Sequence, residues 1–382
     1  MTLSYYLKEK PLYYKEIDYS RMPRAYESIK SHLKLPKIIQ IVGTNGKGST
    51  GRFLAQMLLA QNFSVGHYTS PHIFEFNERI WLNGKDVDDE VLNRAHKELQ
   101  ELLPKEFVES LSYFEYTTFL AMLIFSKECD FVVLEAGLGG EFDATTVFPK
   151  ILSVIAPIGY DHSHFLGETI EEIAKTKLES IEKRALLSKQ CEDVVYEIAK
   201  DICCKKGAKL YLCEDMLLDG EREEIKRYVV QKKLPYFQES NLQSAYCAMK
   251  ILDFKVDFRG LKLSVLKGRC QKVAKNITVD VGHNSMAAKI LKEHFKGKKV
   301  TLIYNSFRDK EYEKILDILT PIIDKVEVLP IEDERGMATQ EILNICRDRG
   351  LKYDIFKKIQ EDREYLVFGS FLVVEKFLGE IN

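Results

Sequence analysis

Residues 37–50 read KIIQIVGTNGKGST, and this stretch decides the fold. The β-branched run at 37–42 predicts a buried strand, and residues 49–59 carry apolar side chains at helical spacing. A glycine-rich turn between a strand and a helix can direct backbone N–H groups at an anion, beside the positive end of the helix dipole. We therefore predict a phosphate-binding loop at residues 43–50.

The predicted loop carries side chains suited to a nucleotide. Lys47 can neutralise charge on the β- and γ-phosphates, and two hydroxyls that follow it can contact phosphate or Mg²⁺. The pattern is not a full Walker A motif, and a glycine-rich turn with an incidental lysine is the alternative. The loop predicts nucleotide binding without naming a reaction. The predicted contacts are Gly43, Thr44, Asn45, Gly46, Lys47, Gly48, Ser49 and Thr50.

The rest of the chain alternates between strand-like and helix-like segments. Before a charged stretch at 253–267 we predict strands at 131–134 and 151–156 and a helix at 241–252. Beyond it, the predicted strands are 277–281, 300–304, 325–329 and 365–368, and the predicted helices are 285–294 and 312–319. Repeated βα units imply mostly parallel sheets with helices on both faces.

The predicted fold class is α/β with two domains. An N-terminal, P-loop-type domain with a mostly parallel sheet should span residues 1–257, and a smaller Rossmann-like α/β domain should span 268–382. A chain of 382 residues is long enough for two cores.

Composition narrows the class of partner. The formal net charge is −2, which gives no support for nucleic acid as a partner. Eight cysteines without a CxxC pair suit a reducing cytosol and disfavour zinc. The sequence has no run of about 18 apolar residues and no signal-like N-terminus, so we expect a cytoplasmic protein without a membrane span.

Several segments together resemble one protein family. GTNGKGS at residues 43–49 is similar to the phosphate loop of the Mur ligase superfamily. Other segments, in the same order, resemble the folylpolyglutamate synthase/dihydrofolate synthase branch, although Thr146 and Val281-Gly282 depart from its usual residues. These segments are TSPHIFEFNERIWLNG (69–84), VLEAGLGGEFDATT (133–146), IGYDHSHFLGETIEEIAKTK (158–177), GR (268–269), DVGHN (280–284) and SFRDKEY (306–312).

The resemblance implies an ATP-dependent ligase that adds L-glutamate to dihydropteroate, to the glutamate tail of folates, or to both, through an acyl phosphate. It implies a monomer with small-molecule substrates. Another Mur-type amide ligase is one alternative, but only about 37 residues precede the first strand, too few for a sugar-nucleotide domain. An ATP-binding module without ligase activity is the other.

The resemblance also implies a metal centre with two Mg²⁺ ions. Ser70 and Glu135 would hold the ion shared with ATP, and His162 would bind a second ion. Lys177 would be carbamylated by CO₂ and so become an anionic ligand, since a free ammonium would repel the metal. The alternatives are a surface lysine for Lys177, a histidine in a polar turn for His162, a solvated strand-end carboxylate for Glu135 and a turn residue before proline for Ser70.

Further residues receive roles from the same resemblance. Asn241 would contact adenine, with a helix N-cap as the alternative. Arg269, Asp280 and His283 would reach ATP phosphate and ribose from the second domain, and Arg269 could stabilise the moving phosphoryl group. An interdomain salt bridge is the alternative for Arg269. The predicted catalytic residues are Lys47, His162, Lys177 and Arg269. The predicted pterin and folate contacts are Pro71, His72, Arg79 and Phe114, although Phe114 could be a core residue instead.

Overall fold

The computed structural model of the protein describes residues 2–11 and 18–381. The chain forms two compact units. The first unit comprises Met1–Ile158, Glu168–Tyr228 and Gln238–Ser264, and the second comprises Gly159–Gly167, Val229–Phe237 and Val265–Asn382. Two short segments, 159–167 and 229–237, therefore belong to the second unit although first-unit residues flank them on both sides. The division at 257 and 268 into independent domains stays a prediction.

The first unit contains an eight-stranded sheet. Its strands follow the order β4-β3-β2-β5-β1-β6-β7-β8, and all pairs from β2 to β8 are parallel. β3 and β4 form an antiparallel edge. Because β1 and β5 are parallel neighbours, the carboxyl ends of both strands lie at the same edge of the sheet, where α/β proteins bind ligands. The strands are β1 (Lys37–Val42), β2 (Val65–Tyr68), β3 (Ile80–Leu82), β4 (Lys85–Asp86), β5 (Phe131–Glu135), β6 (Leu152–Ile155), β7 (Arg184–Leu187) and β8 (Lys209–Leu212).

The second unit contains a six-stranded sheet in the order β13-β12-β11-β14-β10-β9. Its pairs are parallel except the one between β9 and β10. The predicted α/β class with two mostly parallel sheets is confirmed. The strands are β9 (Gln271–Ala274), β10 (Ile277–Asp280), β11 (Val300–Tyr304), β12 (Ile323–Val328), β13 (Lys352–Ile355) and β14 (Tyr365–Phe368).

Helices fill the connections between strands. Their α-helical bounds are α1 (Leu3–Lys8), α2 (Arg21–Ile29), α3 (Lys47–Ala60), α4 (Asp89–Leu102), α5 (Lys105–Ser110), α6 (Tyr113–Glu128), α7 (Ser163–Leu166), α8 (Ile170–Leu178), α9 (Asp193–Lys206), α10 (Cys213–Met216), α11 (Asp219–Gln231), α12 (Gln238–Ile251), α13 (Ser285–His294), α14 (Tyr312–Leu319), α15 (Thr339–Asp348) and α16 (Phe371–Ile381). Short 3₁₀ helices cover Lys30–His32, Phe76–Arg79, Ala144–Val147 and Thr320–Ile322. Within the described ranges, no helix is long and apolar enough to cross a membrane.

Local sequence explains several helix starts. Ser112 and Glu115 form a reciprocal capping box at α6, and Thr169 and Glu172 form another at α8. Asn284 accepts a hydrogen bond from the Ala287 N–H and caps α13. These caps satisfy backbone donors that a helix cannot pair internally, so they fix where each helix begins.

Candidate functional site

The phosphate loop lies between β1 and α3, as the sequence predicts. Gly43 and Gly46 both adopt positive φ, 153° and 83°, which side chains rarely tolerate. A Cβ at Gly43 would lie 2.7 Å from the Ala156 carbonyl oxygen. The N–H groups of Thr44 and Asn45 donate to the Pro157 carbonyl at 2.9 and 3.2 Å. The loop is thus held against the segment that follows β6, with the N-terminus of the 14-residue α3 behind it.

Asn241 borders the loop from α12. A Cβ at Gly46 would lie 2.4 Å from the Asn241 Oδ1, and the Thr50 hydroxyl donates to the same oxygen at 3.4 Å. The alternative reading of Asn241 as an N-cap is wrong, because α12 begins at Gln238 and Asn241 lies one turn inside it. The Asn241 side-chain N–H₂ donates to Gln238 at 2.9 Å, which orients the amide.

Replacing Gly46 with alanine should therefore impair the loop severely. We expect Gly46→Ala to cost about 1–2 kcal/mol from the left-handed backbone alone and to weaken nucleotide binding further, since the new Cβ displaces Asn241. Gly207→Ala is the matched control, because Gly207 has a φ of 63° but no atom within 4 Å of the position that an alanine methyl would occupy. Thermal unfolding and ADP titration of both variants measure the two effects. Equal nucleotide affinity in both variants would contradict this account.

Glu135 is the acidic centre of the site. It ends β5 beside the phosphate loop and is only 4% exposed. The Thr69 hydroxyl donates to one carboxylate oxygen, and the Ser70 N–H donates to the same oxygen at 3.3 Å. The Lys47 Nζ lies 4.0 Å from the other oxygen and donates to the Thr44 carbonyl at 3.2 Å. The structure thus brings together Lys47, Ser70 and Glu135. Thr69 was missed, although its place in the TSPH segment could have indicated it.

Lys177 lies on α8 and is 4% exposed, so the surface-lysine alternative is wrong. Its Nζ donates to the Gly43 carbonyl oxygen at 3.0 Å, which places the amine at the start of the phosphate loop. Lys175, two residues earlier, is exposed. The glycine-rich segment after β5 packs on α8, because a Cβ at Gly140 would lie 2.3 Å from the Lys177 carbonyl oxygen. Close packing of backbone on backbone therefore explains glycine at this position.

A second group of site residues gathers around Asp161 in the second unit. The Lys310 Nζ donates to the Asp161 carboxylate at 2.7 Å, and the His283 Nε2 lies 3.3 Å from its other oxygen. His162 follows with a left-handed φ of 54°. Burial raises the pKa of Asp161, but the hydrogen bond from His283 and the nearby charges of His283, His162 and Lys310 outweigh it and lower the pKa overall. Asp161 is therefore an anion at neutral pH.

Asp161, His162 and His283 could together hold a cation, since one ligand atom from each lies within 4.8 Å of the others. Asp161 and Lys310 were not predicted as site residues, although both stand in segments that carry the family resemblance. Their pairing depends on a contact across 149 residues of chain, which local spacing does not reveal. His162 belongs to the second unit and Lys177 to the first, so a metal shared by both stays a prediction.

Arg269 and Asp280 lie in the second unit. Asp280 is buried and accepts hydrogen bonds from the Cys270 and Gly282 N–H groups at 2.8 and 2.7 Å. Burial raises the pKa of this carboxyl, while those hydrogen bonds and the Arg269 charge oppose the rise. The Arg269 guanidinium lies 5.0 Å from the Phe371 ring centroid, a cation–π arrangement that supports its position. Their roles toward ATP stay predictions.

Two of the predicted substrate residues, His72 and Arg79, lie together in an aromatic and basic cluster in the first unit. The Arg79 Nε donates to the His72 Nδ1 at 2.7 Å, and its guanidinium lies 5.1 Å from the Tyr113 ring centroid. The Phe114 ring faces the glycine segment after β5, since a Cβ at Gly137 would lie 2.6 Å from it. Tyr113 was not predicted as part of this cluster. Pro71, by contrast, is exposed.

His72 gives a pH-dependent prediction. Burial, and then the charge of Arg79, lower the pKa of His72 from 6.5 to about 4. The native state therefore holds His72 neutral where the unfolded chain would protonate it, so this contribution to stability is complete above pH 6.5 and is lost as the pH falls toward 4. We expect His72→Gln to flatten the loss of stability across that interval. Urea unfolding at several pH values measures the free energy of unfolding of both proteins. If that free energy depends on pH in the same way in both, the assignment is contradicted.

Comparisons with known proteins relate the whole chain to one group. No protein-family model matches it. The dihydrofolate synthase/folylpolyglutamate synthase of Haemophilus influenzae is 30% identical, over 100% of this chain and 97% of that protein. The crystal structure of Helicobacter pylori folylpolyglutamate synthetase is 40% identical with a TM-score of 0.81, covering 99% of this chain and 97% of that one. The structure of Escherichia coli FolC in complex with DHPP and ADP is 25% identical with a TM-score of 0.83, covering 99% and 96%.

These similarities extend over nearly the full length of each protein. They confirm the family that the sequence segments indicate, and they leave no support for a peptidoglycan ligase or a module without ligase activity. The roles of individual site residues remain predictions. The chain belongs to the dihydrofolate synthase/folylpolyglutamate synthase family and is an ATP-dependent ligase of folate metabolism.

Proposed function

We propose that this ligase joins L-glutamate to dihydropteroate and also to the glutamate tail of reduced folates. The Haemophilus relative carries both activities in its name. The observation that supports the ligase chemistry best is the convergence of Lys47, Glu135 and Lys177 on one phosphate loop. A cation, an anion and a buried amine at the N-terminus of a helix suit phosphoryl transfer, which depends on positioning and charge.

The proposed reaction has two steps. An acceptor carboxylate oxygen attacks the γ-phosphorus of ATP, and the bond to the β,γ-bridging oxygen breaks to release ADP. The amine of glutamate then attacks the acyl carbon, phosphate leaves, and the amine loses a proton. Lys47 and the N–H groups at the start of α3 stabilise the phosphate charge in the first step. Arg269 is proposed to act on the same charge.

The surroundings of Glu135 fit a magnesium ion. One oxygen of its buried carboxylate accepts hydrogen bonds from a hydroxyl and a backbone N–H. The other oxygen lies 4.0 Å from the Lys47 Nζ, beyond hydrogen-bond distance. Hard oxygen ligands of this kind suit Mg²⁺, with waters and phosphate oxygens completing the shell. We place Glu135 and Ser70 at this ion, which when bound would offset phosphate charge. Thr69 would orient the carboxylate through its hydrogen bond.

Lys177 is proposed to carry a carbamate, and His162 of the second unit is proposed, separately, to bind a metal ion. Burial and the short distance to Gly43 put the amine where an added carboxylate would face the phosphate loop. The imidazole of His162 suits magnesium less well than an oxygen ligand would, because Mg²⁺ prefers oxygen, whereas transition-metal ions such as Mn²⁺ also accept nitrogen. Mn²⁺ should therefore support activity at least as well as Mg²⁺ does.

The cluster around Arg79 is proposed to bind the pterin end of the acceptor. Flat rings pack well on aromatic faces, which Tyr113 and Phe114 provide. The low pKa of His72 keeps its imidazole neutral, so it accepts the Arg79 hydrogen bond instead of repelling the guanidinium. Asn241, Asp280 and His283 are assigned to the nucleotide. We also propose a cytoplasmic monomer without nucleic-acid or membrane partners.

The purified protein, supplied with ATP, Mg²⁺ and L-glutamate, tests the proposed substrates. One reaction contains dihydropteroate, a second contains a reduced folate monoglutamate, and a third contains neither. Mass spectrometry should find one added glutamate on each acceptor, and phosphate release should match it. If only one acceptor gains glutamate, the proposal is reduced to that single activity. If neither acceptor gains glutamate, the proposal is overturned.

A further inference from the structure

Two buried thiols meet in the first unit, and the proposed catalytic chemistry uses neither. Cys213 begins α10 directly after the edge strand β8, and Cys247 lies within α12. Their Sγ atoms are 3.3 Å apart, and the residues are 4% and 0% exposed. Both side chains are free thiols, so the contact brings together two groups that can react with each other.

The geometry favours redox chemistry over metal binding. A structural zinc takes four ligands in a tetrahedron. Among the residues that the structure describes, three side chains that could bind one metal ion come together at Asp161, His162 and His283. Neither cysteine belongs to such a group. Two thiols in contact without further ligands can instead be joined by loss of two electrons and two protons.

We propose that Cys213 and Cys247 form a redox-sensitive pair that a peroxide closes to a disulfide. The Cys213 thiol first gives up its proton, and the thiolate attacks one peroxide oxygen. The O–O bond breaks to give a sulfenic acid and hydroxide, and the hydroxide takes up the proton that the thiol lost to form water. The Cys247 sulfur then attacks the oxidised sulfur, and the hydroxyl leaves as a second water with the Cys247 proton. One peroxide is reduced, and two thiols become one disulfide.

The surroundings assign the two roles. A hydrogen bond from Cys247 lowers the pKa of Cys213 against the opposing effect of burial, and Ser244 and Arg222 add to the lowering. The same contact, together with burial, raises the pKa of Cys247. Position agrees with this direction, because Cys213 lies on the short helix after the edge strand and is 4% exposed, whereas Cys247 is 0% exposed. Cys213 is therefore the attacking thiol and Cys247 the resolving one, since the thiolate is the nucleophile.

The short helix α10 gives a route to the buried thiols. It has four residues, follows an edge strand and precedes Leu218, which is 69% exposed. Short elements at the edge of a sheet open locally at low cost in free energy. A peroxide can reach Cys213 during such an opening without unfolding of the central strands.

Closing the disulfide should affect the phosphate loop. The two sulfurs must approach from 3.3 Å to about 2.05 Å, which requires a shift of α10 or α12. Asn241 lies on the same α12 and touches Gly46 so closely that no Cβ fits between them. We expect oxidation to weaken ADP binding by roughly tenfold, a smaller effect than the loss of about 10²-fold in rate that a misplacement of about 1 Å can cause. This consequence rests on the proposed nucleotide site, whereas the disulfide itself does not.

The full chain, treated with hydrogen peroxide and alkylated without reduction, tests the pair by peptide mapping. We expect one peptide pair linked through residues 213 and 247, formed in the wild type and in Cys346→Ser, which removes an unpaired buried thiol. Cys247→Ser should leave Cys213 as a sulfenic acid that dimedone traps. Absence of the linked pair from folded protein, or its formation only in denaturant, would overturn the proposal.

Calorimetric ADP titration of reduced, oxidised and re-reduced protein tests the effect on the loop. Affinity should fall on oxidation and return with dithiothreitol, and Cys247→Ser should show no such reversible change. Linked peptides with unchanged ADP affinity would overturn the coupling to α12. Both measurements are independent of ligase turnover, so a failure of the proposed acceptors would be seen separately.

Discussion

Lys177→Ala should lower kcat by about 10³-fold, the size expected when an active site loses a group that stabilises transition-state charge. The side chain is buried and touches the Gly43 carbonyl, so its loss reaches the phosphate loop directly. Lys175→Ala is the matched control, since it removes an exposed lysine of the same helix. Steady-state kinetics at saturating ATP, with circular dichroism to verify folding, measures both variants. Activity within a factor of about three of wild type would contradict a catalytic role, since that is under 1 kcal/mol of barrier.

The chemical state of Lys177 has its own test. Protein equilibrated with ¹³C-labelled bicarbonate should show one carbamate carbon resonance that is absent from Lys177→Ala and present in Lys175→Ala. Lys177→Arg should be as inactive as the alanine variant, because a guanidinium remains protonated and cannot capture CO₂. An active arginine variant would mean that a cation, and not a carbamate, acts at this position.

Lys47→Ala should have the second large effect. We expect kcat to fall by about 10²–10³-fold, because the γ-phosphate loses the cation proposed to neutralise it during transfer. The variant should also bind ATP more weakly while its affinity for AMP stays close to wild type, since Lys47 is placed for the β- and γ-phosphates. Calorimetric titration with a non-hydrolysable ATP analogue and with AMP separates these expectations.

Lys47→Ala also leaves Glu135 without the cation 4.0 Å away. The double variant Lys47→Ala/Glu135→Gln therefore controls for an uncompensated buried charge. It should recover folding stability without recovering kcat. Equal weakening of AMP and ATP-analogue binding in Lys47→Ala would contradict the placement of this lysine and indicate general damage to the loop.

The strongest local patterns in the sequence predict much of the fold. β1, β11, β14, α13 and α14 have the predicted bounds. Each has a clear run of apolar residues or a helical period bounded by polar residues, so local signal and tertiary burial agree.

Other elements have no clear hydrophobic periodicity in their sequence. Most of α6 is buried, so its apolar residues surround the helix instead of forming one stripe. All four residues of β13 are exposed, so its sequence shows no inward face. The helices before β1, the strand β7 and the edge strand β8 were likewise not assigned. Whether these segments form helices or strands depends on the residues that pack against them. The spacing of residues along the chain gives no information about those partners.

Site prediction had the same limit. Motif residues at strand and helix ends, such as Glu135 and Lys177, could be named from sequence because their neighbours along the chain identify them. Thr69, Tyr113 and Lys310 were missed as site residues because their partners lie far away in sequence. The start of α12 was predicted at Asn241, one turn later than its actual start at Gln238, since helix ends are the least certain feature of a pattern.

The most direct measurement uses an acceptor whose reacting carboxylate carries ¹⁸O. The enzyme, ATP, Mg²⁺, L-glutamate and the labelled acceptor react to completion, and mass spectrometry reads the released phosphate and the product. Activation through an acyl phosphate predicts one ¹⁸O in each phosphate for every glutamate added. Glutamate addition with unlabelled phosphate would contradict the proposed chemistry, and phosphate release without glutamate addition would contradict ligation itself.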